Sequence, residues 1–124
     1  MGLTQDKMEF AAALGQAMQG VSAYHVASVA QKLCRYGATL RRIAEDMCNG
    51  PNYDYCRTDA DRSRASSLWQ EFQDTLPVKQ ERIQAKVIDL CAEIQGASAV
   101  FQNDPRGLTA RLVINGREYG IPTS

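Results

Sequence analysis

Apolar or aromatic residues at Val26, Val29, Leu33, Tyr36, Leu40, Ile43 and Met47 recur in alternating steps of three and four. That spacing keeps one side of a helix apolar for about seven turns and predicts a long helix within residues 21–50. Ser22 is placed to cap its start. Asn49-Gly50-Pro51 closes it, with residues that tolerate left-handed dihedrals before one that cannot continue a helix. Gly37 inside it costs about 1 kcal/mol relative to alanine, which close approach of a neighbouring helix would explain. The stripe can meet another helix of its own chain or a second copy, so a homodimer through the face from Val26 to Met47 is one expectation.

Ahead of it, Thr4 is placed to cap a helix running to about residue 18. Asp6 and Glu9 stand early in that helix, and Ala11, Ala12 and Gly15 give it a narrow surface suited to close packing. After a loop at residues 51–55, a third helix starts at Thr58 or Asp59, with Ala65, Leu68, Trp69 and Phe72 on one side. Pro77 either kinks a continuing helix or, the favoured reading, breaks it and opens a fourth; the segment after it carries Ile83, Val87, Leu90, Cys91 and Ile94 to Gly96. The period then changes from helical to extended, with strands expected at residues 97–101, 108–114 and 117–121. Asn115-Gly116 joins the last two, where a type I′ turn needs positive φ at both positions. The expected fold is α+β, one domain over residues 1–124. An antiparallel bundle of three to four helices (4–96) precedes a three-stranded antiparallel meander (97–122). Its core combines Leu33, Leu40, Ile43, Met47, Leu68, Phe72, Ile83, Val87, Leu90 and Ile94, with Val100, Leu112 and Ile114 laid against them.

Length and composition agree with a domain able to bury a core: 124 residues, 44% apolar and 23% charged. Fourteen basic and fourteen acidic side chains cancel, so no global field advertises nucleic acid or a membrane. No apolar run reaches the roughly 18 residues of a membrane span. The first residues lack the basic and apolar regions of a signal peptide, and Asp6 stands where myristoylation wants Ser or Thr. Cys34, Cys48, Cys56 and Cys91 have no paired short spacing, so reduced thiols and a cytoplasmic location are expected.

Few residues carry chemistry. The cysteines lack the close pairs of a zinc site, and Cys91 falls on an apolar face, so no metal ligand is assigned. His25 is the only histidine and no glycine-flanked nucleophile accompanies it, so no catalytic residue is assigned. No phosphate-cradling loop or calcium loop is present, and no cofactor is implied. A metal-dependent hydrolase built on acid pairs such as Asp59 and Asp61 is the weakest reading. The basic residues are the partner-binding candidates. Lys32, Arg35 and Arg42 occupy one side of the long helix, and Arg106, Arg111 and Arg117 lie on the meander. If both groups share a face, an anionic partner docks there, phosphate backbone or acidic protein surface. Otherwise their stems cover apolar surface beneath solvated heads.

The helix end Cys48-Asn49-Gly50, the loop Asp104-Pro105-Arg106-Gly107 and the closing Gly120-Ile121-Pro122 give the chain a likeness. It resembles small uncharacterised phage and prophage proteins over roughly residues 33–123. Asn103 stands where glycine is usual in such proteins, and the hairpin around Asn115-Gly116-Arg117 is shorter. The resemblance implies a mobile-element origin in a bacterial host and no enzyme activity. The expectation is a non-enzymatic accessory protein that binds a host or phage protein, such as an anti-CRISPR-like inhibitor of bacterial defence. A small nucleic-acid-binding module using the basic helix face is the alternative.

Overall fold

The chain's structure, a computed structural model, describes residues 2–104 and 107–123. Three helices, α1 (Gly2–Ala17), α2 (Ala23–Cys48) and α3 (Asp59–Cys91), precede three strands, β1 (Ala97–Asp104), β2 (Gly107–Ile114) and β3 (Arg117–Gly120). The fold is α+β, with one antiparallel sheet in the order β1-β2-β3.

The stripe on α2 is the centre of the core. Val26, Val29, Leu33, Leu40 and Ile43 are buried together with Phe10, Leu14 and Met18 from the α1 side. Leu76, Ile83 and Val87 of α3 and Leu108, Ala110, Leu112 and Ile114 of β2 complete it. α1, α3 and the sheet pack against that face. Ser22 caps α2 as expected, its Oγ accepting the His25 N–H at 3.2 Å.

Two expectations at helix starts and breaks are corrected. α1 begins at Gly2, so Thr4 lies inside the helix and does not cap it. α3 is one helix through Pro77, without the break expected there. Proline removes one N–H bond and crowds the preceding turn, at a cost of about 3 kcal/mol. Anchors on both sides outweigh that cost: Leu76 lies immediately before the proline at 1% exposure, and Ile83 and Val87 follow it in the core. The Thr75 hydroxyl also donates to the Phe72 carbonyl at 2.7 Å.

Three contacts set α2 and α3 antiparallel: His25 near Glu93 at 3.8 Å, Tyr36 beneath the Lys86 ammonium, and Asp46 with Gln73. In the last, Gln73 Nε2 donates at 2.8 Å to a carbonyl in the final turn of α2. The part of α3 ahead of Gln73 therefore runs on past the end of α2 as an arm about 20 Å long. Leu68 and Phe72, expected in the core, are 58% and 41% exposed on this arm. Their spacing is right for the stripe, but among the described residues no element covers them. The loop from α2 returns along the arm, where the Tyr53 and Ser66 hydroxyls share a hydrogen bond of 2.7 Å.

The arm starts with a capping box, in which Thr58 Oγ1 accepts the Asp61 N–H at 3.1 Å. The Asp61 carboxylate accepts the Arg57 and Thr58 N–H groups in return, at 3.2 and 3.3 Å. The Arg57 bond above all, helped by Thr58, holds the Asp61 carboxyl below its ordinary value. A depressed value means that folding favours the carboxylate. This contribution is complete above the usual carboxylate range and disappears as acidification passes through the lower folded value. Thr58→Ala should cost about 1 kcal/mol in denaturant unfolding at neutral pH. The cost of Asp61→Asn should shrink in the same assay as the pH falls.

The sheet is longer than its pattern announced. β1 and β2 pair from Ala97↔Ile114 to Asp104↔Gly107, so residues expected in the connecting loop belong to strands. Antiparallel pairing supplies partners for backbone groups that the apolar alternation does not mark. Asn115 and Gly116 form the β2–β3 turn with φ of 51° and 82°, as a type I′ turn requires. No described helix is long and apolar enough to cross a membrane.

Candidate functional site

The sheet's alternation decides where the basic residues go. Leu108, Ala110, Leu112 and Ile114 point from β2 into the core, so Arg111 points away from α2 and across the outer face. There it forms an ion pair with Glu118 at 3.1 Å. Arg117 pairs in register with Ile114 and so shares the inner face, at the sheet edge beside Ala13 and Ala17 of α1. Lys32, Arg35 and Arg42 are exposed on the side of α2 opposite its buried stripe. The candidates thus fall on three surfaces rather than one. Arg106 lies outside the described residues.

Among the described residues, none of Lys32, Arg35 and Arg42 takes part in a salt bridge. Arg41 differs from them. It forms a salt bridge with Glu45 at 3.4 Å and donates to Thr123 Oγ1 at 3.0 Å.

Arg35 stands on the rim of a groove of about 680 Å³ between α1, α2 and the segment after β3. Its floor is small and apolar, with Ala11, Ala27, Ala30, Cys34 and Ala38, and Lys7 of α1 forms the opposite rim. Local sequence explains this shape. At Gly15 α1 lies against Val26 at ordinary packing distance, an added Cβ standing 3.9 Å from Val26 Cγ1. Alanines along both helices then leave depth where larger side chains would fill it. Gly37 closes one end in a way not foreseen. Its close neighbour is Ile121, not another helix, and a Cβ at Gly37 would lie 2.9 Å from Ile121 Cγ2.

Cys34 on the floor is half-buried. Burial pushes its thiol above the ordinary value, against the opposing pull of the Lys7 ammonium. Cys91, in the core, is pushed up to about 11 by burial. Both thiols stay protonated at neutral pH, the opposite of an activated nucleophile. Among the described residues no three of His, Cys, Asp and Glu converge closely enough to hold a metal ion. The groove thus has apolar area below and, among the described residues, positive charge outside any salt bridge at its edge. Lys7 was not singled out from the sequence, although it stands one turn before Ala11 on a helix whose small residues already marked a packing face.

No protein-family model matches the chain, and neither curated proteins nor solved structures show a significant match.

Proposed function

We propose that this is a non-enzymatic accessory protein of phage or prophage origin that acts in the bacterial cytoplasm by occupying a host or phage protein. An anti-CRISPR-like inhibitor of bacterial defence is the form this takes. The observation that carries the reading is the groove between α1 and α2, an apolar floor between Lys7 and Arg35. It suits an amphipathic segment of a partner protein that sets small apolar side chains on the alanine floor and acids against the rim. Buried apolar area supplies affinity, and the rim charges supply orientation and on-rate.

The test is co-purification from a bacterial host of the native chain beside the double variant Lys7→Glu/Arg35→Glu. Both positions are exposed, so the variant keeps its fold. A stoichiometric partner is expected with the native chain, bound about tenfold or more weakly by the variant. Retention of the partner by the variant, or recovery of none under several conditions, would count against the groove.

A second reading has its own observation. Lys32, Arg35 and Arg42 form an unpaired, exposed positive side of α2, which suits a phosphate backbone. A salt titration of duplex binding decides it. Binding absent even at low salt ends this reading, since phosphate contacts must show there.

A further inference from the structure

The apolar stripe of α3 continues where α2 no longer covers it. On the arm, Leu68 and Phe72 are largely open to solvent, while Ala65 and Trp69 are half-buried. Trp69 and Phe72 stack with ring centroids 5.5 Å apart, which presents one continuous aromatic and aliphatic surface. Such clustered exposure on an otherwise polar helix marks a contact surface.

The charges beside the stripe identify what fits it. Arg64 and Glu71 are two turns apart and so flank Leu68 on the same side of the helix. Among the described residues, neither is in a salt bridge. On the arm Asp59 is paired with Arg62 and Asp61 is engaged in the capping box, which leaves Arg64 and then Glu71 as the charges beside Leu68, basic before acidic. That order complements itself only when a copy is laid antiparallel. A parallel copy sets Arg64 against Arg64. An antiparallel copy, with its two-fold axis near Ser67 and Leu68, brings each Arg64 opposite the partner's Glu71. Both ion pairs then border a seam in which the two Leu68 side chains meet at the axis and each Phe72 packs beside the stem of Arg64 in the other copy.

We propose that this arm is the chain's self-association surface, forming an isologous antiparallel helix pair through Leu68 and Phe72, with Arg64 and Glu71 setting the register. It lies beyond the end of α2, clear of the groove on the α1 side, and is independent of that groove's occupant. Two-fold symmetry makes every flank substitution count twice.

Sedimentation equilibrium of the purified chain over a concentration series tests this. A reversible dimer is expected, and Leu68→Glu should abolish it while the circular dichroism spectrum stays unchanged. Arg64→Glu and Glu71→Arg should each weaken the dimer by about tenfold, since each sets two like-charge pairs at the seam. The double variant Arg64→Glu/Glu71→Arg should restore it. An equimolar mixture of the two single variants should form a heterodimer tighter than either variant alone, because every facing pair is then opposite in sign. A chain that stays monomeric at all attainable concentrations overturns the proposal, as does a dimer indifferent to the charge swaps. A monomer that instead gains a foreign partner sensitive to Leu68→Glu assigns the stripe to that partner, which also overturns it.

Discussion

Truncating Leu76 to alanine should cost about 3 kcal/mol of stability, while the same truncation at Leu68 should change it by less than about 0.5 kcal/mol. Both leucines sit on the same helix and the same apolar stripe, two turns apart. Periodicity treats them as equivalent. Leu76 is 1% exposed, packed in the cluster with Ile83 and Val87, so its removal forfeits transfer free energy and leaves a cavity beside Pro77. Leu68 lies ahead of the Gln73–Asp46 hydrogen bond, on the arm, where solvent fills whatever a shorter side chain vacates. Denaturant unfolding of both variants at low protein concentration measures the difference in one experiment. Equal costs would mean that the arm is covered in the monomer.

Gly96→Ala should destabilise by about 1–2 kcal/mol, little more than Gly20→Ala. Both glycines have left-handed backbones, with φ of 76° at Gly96 and 85° at Gly20, so any Cβ adds a similar strain at each. The surroundings differ. At Gly20 nothing lies within 4 Å of the added carbon, whereas at Gly96 it meets the Asn115 Oδ1. Asn115 can turn that exposed side-chain oxygen aside while its backbone stays in place, its N–H donating to the Gly96 carbonyl at 3.1 Å and its φ of 51° holding the β2–β3 turn. The end of the helical part and the tip of the meander therefore meet at this glycine. Thermal unfolding of the two variants side by side would separate the shared dihedral strain from the collision.

Much of the fold follows from short-range signals. The α2 stripe, the Ser22 cap, the Thr58 start of α3 and the Asn115-Gly116 turn all stand where periodicity and backbone preference put them. Each depends only on residues a few positions apart. What escaped depends on relative placement. The pattern at Leu68 and Phe72 is as regular as at Ile83 and Val87, and only the offset between α2 and α3 shows which pair is covered. Pro77 was weighed by its local cost, without the burial of Leu76 beside it. The basic candidates were grouped by side along their own elements. Whether Arg111 and Lys32 face the same way is settled by which face of the sheet α2 covers, and no local spacing carries that. The groove was half legible: its small residues on α1 announced close packing, but the depth between them and the rim position of Lys7 arise only once α1 lies across α2.

The proline within α3 has a consequence for motion. The missing N–H lies one turn past Gln73, where the packed part of the helix gives way to the arm. A helix interrupted there loses continuity in its hydrogen-bond ladder at the same point where it loses its neighbour. Opening of the arm from its capped end can then stop at the proline without spreading into the Ile83 and Val87 region. Amides of the arm should therefore exchange with solvent faster than those around Ile83 and Val87, the arm loosening while the domain behind it stays folded.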